Sequence, residues 1–240
     1  MLKGIKRFYD RLYEEKIRPE YKQEYEKRRK GNFLHKYILF FLNPYRNTRH
    51  EIVKSILPSG EKLLDIGCWT GDSTISYGAL EKFREVYGVE ISEGAIEQAK
   101  NKGIEVSICD ISYDNLPYPD DYFDCVTFID VIEHIIDPYP IMAEIKRVLR
   151  DGGVLIIGTA NVASLSNRIR IMMGHRPRTS FDLGWDGGHL LYFTPRDLKI
   201  LIETYSFEIV GKYATGNMQW LRKLLFSLTG EFIFKCRLKK

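Results

Sequence analysis

At 240 residues, 44 % of them apolar, the chain is long enough to bury the core of one α/β domain with additions. Its longest early apolar cluster, Tyr37 to Leu42, is far too short to span a bilayer. Four cysteines (Cys68, Cys109, Cys125, Cys236) without a Cys-x-x-Cys pair argue against a disulfide framework or a zinc site and for buried thiols in a reducing compartment.

Residues 5–30 read as a polar, charge-rich helix and 33–42 as an apolar one, so 1–47 is expected to be a helical N-terminal extension ahead of one domain over 48–240. Asn47 or Thr48 starts a helix to about Leu57, and Pro58-Ser59-Gly60 turns into a first strand. Strands near 62–66, 85–90, 104–109, 123–129 and 153–159 then alternate with helices near 72–81, 92–102 and 138–150, the pattern of a parallel sheet covered on both faces. Thr194-Pro195-Arg196-Asp197 caps a helix to about Tyr205, and strands follow over 207–213 and 231–238. Segments near 161–193 and 216–229 interrupt this plan as insertions.

The net charge of +4 is unevenly spread. Residues 1–50 carry 14 Lys/Arg against 6 Asp/Glu, 51–160 carry 9 against 20, and 161–240 carry 13 against 6. An acidic centre between basic flanks suits a cationic ligand there and leaves the flanks either as solvated helix faces or as surfaces for an anionic substrate, a nucleic acid or a membrane. The N-terminus is charged from Lys3 onward with no apolar signal region, so a cytoplasmic protein is expected.

Leu63-Leu64-Asp65-Ile66-Gly67-Cys68-Trp69-Thr70-Gly71-Asp72 closes an apolar run on an acid and then turns through glycines into a helix. Glu90 ends the next apolar segment and Asp110 the third, so three strands deliver polar groups to one edge of the sheet. A dinucleotide fingerprint needs glycines at 67, 69 and 72, where the chain has Gly67, Trp69 and Asp72. An acid at the turn would also repel a diphosphate. With Asp130-Val131-Ile132-Glu133-His134 and Leu149-Arg150-Asp151-Gly152-Gly153 following in order, the chain resembles the class I S-adenosylmethionine-dependent methyltransferases, including the ubiquinone-pathway O-methyltransferase subgroup.

That resemblance implies a Rossmann-like, doubly wound, seven-stranded α/β sheet, mostly parallel with one antiparallel strand, and S-adenosylmethionine as cofactor. It places Asp65, Gly67 and Gly71 beside the methionine part, Glu90 on the ribose hydroxyls, Asp110 on the adenine amino group, Ile91 and Ile111 on the ring faces, and Asp130 at the crevice. Trp69 stands where the family usually has a third glycine, and its side chain either packs away from the cofactor or narrows its mouth. The insertions at 161–193 and 216–229 would cover a small-molecule methyl acceptor.

Methyl transfer to a hydroxyl needs a base, and His134 and His189 are the candidates, each with an alternative reading as a residue that orders its loop. Asp130, Glu133 and His134 have spacing compatible with a metal cluster, but no metal is assigned. Arg168, Arg170, Arg176 and Arg178 alternate with apolar residues, either to bind an anionic acceptor or as a lid with arginines in water. Met218 to Phe226 either rests on an anionic membrane as a peripheral contact or packs on the sheet edge. Nucleic acid is disfavoured, because Ile129-Asp130-Val131-Ile132 stands where a base-nitrogen methyltransferase carries an Asn/Asp-Pro-Pro-Tyr-like motif. A non-catalytic cofactor-binding subunit is the alternative from another class.

Overall fold

The computed structural model describes residues 49–179, 188–215 and 225–240, together with Asp10, Arg11, Glu14 and Gln23. The helices expected over 5–30 and 33–42 lie almost wholly outside the described residues, as do residues 180–187 of the first insertion and 216–224 of the second.

In chain order the elements are α1 (Arg49–Ile56), β1 (Gly60–Ile66), α2 (Asp72–Ser76), α3 (Ala79–Lys82), β2 (Phe83–Glu90), α4 (Glu93–Lys100), β3 (Glu105–Ile108), β4 (Phe123–Ile129), α5 (Pro138–Val148), β5 (Leu149–Ala160), α6 (Leu165–Met172), α7 (Pro195–Thr204), β6 (Phe207–Ala214) and β7 (Glu231–Leu238). The seven strands form one sheet in the order β3-β2-β1-β4-β5-β7-β6. β7 runs antiparallel to both neighbours and the other pairings are parallel. This is the expected mixed sheet.

The strand order reverses between β1 and β4, and an open α/β sheet forms its ligand crevice at the carboxyl ends beside such a switch. β4 is buried along its whole length, as a central strand covered by helices must be. On one face α5 contributes Ile141, Met142, Ile145 and Val148 to a core that includes Phe123, Phe128 and Phe232. On the other, Ile52, Val53 and Ile56 of α1 pack with Leu63 and Val86. Each fully buried aliphatic side chain stabilises by about 1.5–3 kcal/mol. All four cysteines are free and buried.

Two elements differ from the sequence expectation. The helix expected over 72–81 is broken into α2 and α3 at Gly78, whose φ of +74° is left-handed. β5 begins at Leu149 rather than near 153, because the β4–β5 register shifts between Phe123 and Cys125 and the strand absorbs the slack at Asp151-Gly152-Gly153. Thr194 does cap α7 as read from the sequence, and the Asp197 side chain returns the bond to make the cap reciprocal.

Candidate functional site

The first half of the site is the loop after β1. Gly67 and Gly71 both take left-handed φ (+72° and +78°). Their need for hydrogen is also steric: a Cβ on Gly67 would lie 2.5 Å from Val131 Cγ2, and one on Gly71 would lie 2.7 Å from Ile104 Cδ1. Trp69 between them is left-handed too (φ +50°), an unfavourable conformation for a bulky residue, and is half-buried. Its N–H donates to Glu90 Oε2 at 3.0 Å.

Three carboxylates converge on this edge. Asp65 lies opposite Thr127 in the β1–β4 register and accepts from Thr74 Oγ1 (2.5 Å) and Thr127 Oγ1 (2.7 Å). Burial pushes it up to about 6, against the two hydroxyls, which favour its charge. Glu90 accepts from the backbone N–H groups of Ile91 (2.8 Å) and Ser92 (3.0 Å) besides that of Trp69, and burial still raises its pKa. Asp110 receives the Ser112 N–H on Oδ1 at 3.1 Å, whereas its Oδ2 is buried without a hydrogen-bond partner. Burial raises its pKa as well. Ile91 and Ile111 follow the two acids directly, each half-buried.

This donor set fits S-adenosylmethionine. A carboxylate only accepts hydrogen bonds, and the ligand offers donors or positive charge at its ribose hydroxyls, adenine amino group and ammonium. The orphaned Asp110 oxygen is open to a ligand donor, because an unmet buried acceptor costs about 1–3 kcal/mol.

The second half lies past β4. Asp130 is left-handed (φ +53°) and its carboxylate forms an ion pair with Arg49, which also reaches Glu231 at 3.1 Å. The next turn, Ile132–His134, buries Glu133, whose carbonyl accepts from the N–H groups of Leu190 and Leu191. That pairing carries His189 onto the turn. Its Nε2 lies 3.9 Å from Glu133 Oε1 and its Nδ1 2.7 Å from Thr179 Oγ1. The His134 and His189 rings meet edge to face at 4.8 Å, and His134 Nδ1 lies 3.4 Å from the Gly188 carbonyl. Burial pushes Glu133 up to about 7.

The two candidate bases, 55 residues apart in sequence, are thus brought together with Glu133 behind them. Glu133, His134 and His189 place potential ligand atoms within 4.8 Å of one another, close enough to share protons or to gather round a cation. Asp130, which the sequence grouped with Glu133 and His134, is engaged by Arg49 instead. Of the remaining histidines, His50 packs edge-on against Tyr77, His175 is exposed, and His35 lies outside the described residues.

Sequence reading missed Arg49, Thr74, Thr127 and Lys102. The Lys102 ammonium donates to the Thr70 carbonyl and to Asp72, both at 2.7 Å, and so braces the glycine loop from the far end of α4. Only Thr74 had a local signal, as a hydroxyl in the first turn after the loop.

Residues 64–157 match the family described as methyltransferase domain. The chain is 34 % identical over 108 residues to the 27-O-demethylrifamycin SV methyltransferase of Amycolatopsis mediterranei, covering 42 % of this chain and 39 % of that one. It is 31 % identical over 116 residues to a ubiquinone/menaquinone biosynthesis C-methyltransferase of a Marinomonas species, covering 45 % and 46 %. The chain spans about a third to three fifths of the length of the curated relatives it matches. In fold it is similar to an S-adenosylmethionine-dependent methyltransferase of Aquifex aeolicus, at a TM-score of 0.56 and 16 % identity over 89 % of this chain and 98 % of the other.

Proposed function

From the premise that this chain carries the methyltransferase domain of the S-adenosylmethionine-dependent family, we propose that it methylates a small-molecule acceptor at an oxygen, with an anionic or lipid-linked acceptor favoured by the basic flanks. Glu90 takes the ribose hydroxyls, Asp110 the adenine amino group through its open Oδ2, and Ile91 and Ile111 the ring faces. Asp65, Gly67 and Gly71 shape the methionine end, and Asp130, fixed by Arg49, walls the crevice. When bound, S-adenosylmethionine supplies a methyl group on a sulfonium, already activated for in-line displacement. The chain's own task is to hold the acceptor oxygen and remove its proton. Residues 1–47 are read as an extension and 161–193 and 216–229 as acceptor-covering insertions of the 48–240 domain.

The observation that carries the oxygen reading is the His134–His189–Glu133 group beside the crevice, since a hydroxyl needs a base and a carboxylate or neutral amine hardly does. The Gly188 carbonyl only accepts, so in that contact His134 Nδ1 holds the proton and the basic lone pair falls on Nε2. Relatives named for methylation at oxygen and at carbon both match the chain, and the base group separates a hydroxyl-bearing acceptor from a carboxylate or a neutral amine.

Calorimetric titration is the first test. The protein is expected to bind S-adenosylmethionine and not NAD, and Glu90→Ala to weaken that binding about 10- to 100-fold through loss of charged hydrogen bonds. Release of S-adenosylhomocysteine is then measured across phenols and hydroxy acids. His134→Asn is expected to lower turnover about 10²–10⁴-fold at unchanged cofactor affinity. Turnover unaffected by His134→Asn and His189→Asn alike would refute the base assignment.

A further inference from the structure

α6 is an eight-residue helix that touches the body on one side and presents an apolar side outward. Asn167 is its buried residue, and the Asn167 Oδ1 accepts the N–H of Arg178 at 2.8 Å, which clips the returning segment to the helix. On the opposite side Leu165, Ile169, Met172 and Met173 recur at i, i+4, i+7 and i+8, and all four are exposed. Met172 is 87 % exposed and Met173 67 %, so large unbranched side chains reach into solvent where an ordinary surface helix carries polar ones.

The charge around this stripe has one sign. Residues 161–179 hold Arg168, Arg170, Arg176 and Arg178 and no acid. Arg168 and Arg170 spend their Nε–H groups on carbonyls of the same segment, those of Ala163 and Arg176. Neither they nor Arg176 form an ion pair with another described residue. An exposed apolar stripe flanked by arginines has the composition of an interfacial helix on anionic lipid, apolar side chains in the acyl boundary and guanidinium groups at the phosphates. α6 also follows the carboxyl end of β5, on the same edge of the sheet as the crevice.

We propose that α6 and the arginine-bearing segment after it dock this protein peripherally on an anionic membrane surface, with the crevice edge toward the lipid. This would bring the site to an acceptor dissolved in or tethered to the bilayer. The inference stands apart from the methyl-transfer reading, because its test is binding alone.

The test is co-sedimentation of the full chain with vesicles of phosphatidylcholine alone and of phosphatidylcholine mixed with phosphatidylglycerol. Binding is expected to the mixed vesicles only and to fall with added salt. Each of Arg168→Glu and Arg170→Glu is expected to weaken it about fivefold or more, and Met172→Asp with Met173→Asp at least about tenfold. Unfolding midpoint and calorimetric binding of S-adenosylmethionine are expected to stay as in the parent, since Arg168, Met172 and Met173 are exposed and Arg170, half-buried, donates only to a carbonyl of its own segment. Independently of those variants, Met172→Cys labelled with a polarity-sensitive dye is expected to shift to the blue on mixed vesicles; the native cysteines are all buried. Equal binding to both vesicles, no binding, or an unshifted dye would overturn the proposal. So would variants that instead split a dimer in sedimentation velocity, because the stripe would then be an interface between two copies.

Discussion

Lys102 ties two parts of the site that sequence places far apart. Its ammonium holds the Thr70 carbonyl and the Asp72 carboxylate, while the Glu90 carboxylate holds the Trp69 N–H one residue earlier. The loop is therefore gripped at left-handed Trp69 and on either side of left-handed Gly71, where it has most to gain by relaxing. On the proposed assignment, with this loop at the methionine end of the ligand and Glu90 and Asp110 at its nucleoside, the two ends are expected to respond differently to the loss of Lys102. Lys102→Met is expected to weaken S-adenosylhomocysteine about tenfold and 5′-methylthioadenosine less than about twofold, with Lys102→Arg restoring most of the loss. Equal weakening of both ligands in calorimetry would reduce Lys102 to a general stabiliser.

Among the elements, the end of β5 carries the connection between the site and the last strand. Asn161 is fully buried, donates both amide hydrogens to the carbonyls of Ser227 and Thr229, and accepts the N–H of Ala163. It joins the start of the first insertion to the end of the second. Asn161→Ala strands the buried Thr229 carbonyl and releases that of Ser227 nearer the surface, and is expected to cost about 2 kcal/mol, read as a lower urea midpoint at unchanged slope. The parallel strands were legible because each apolar run stops at a chemistry-bearing residue, Asp65, Glu90 or Asp110. The break at Gly78 was not, because glycine inside a helical pattern is ordinarily tolerated and only its φ shows the turn. Arg49, Thr127 and Lys102 were illegible for another reason: each acts on a partner supplied by register or packing, as Thr127 does on Asp65 across 62 residues.

At the scale of the whole molecule, ligand-free stability is shaped by carboxyls of opposite tendency. Asp65 and Glu133 sit at about 6 and about 7, above the usual carboxylate range near about 4. The native state thus keeps protons that the unfolded chain releases, and this contribution is full below about pH 4 and is lost as the pH rises to about 7. Glu144 and Asp72, held low by Arg147 and Lys102, contribute the other way, losing stability as the pH falls below about 4. The urea midpoint is expected to peak near about pH 5 and decline toward pH 8, and Asp65→Asn to recover about 2 kcal/mol on the alkaline side. A midpoint that climbs steadily from pH 5 to 8 would contradict this. The sheet has a consequence for synthesis as well. β7, last of the seven strands in chain order, lies between β5 and β6. Until the ribosome has released it, β6 has no neighbour to join and the apolar flank of β5, Leu155 to Ala160, is an open edge. A nascent chain paused in that interval exposes the kind of surface that recruits chaperones or seeds aggregation.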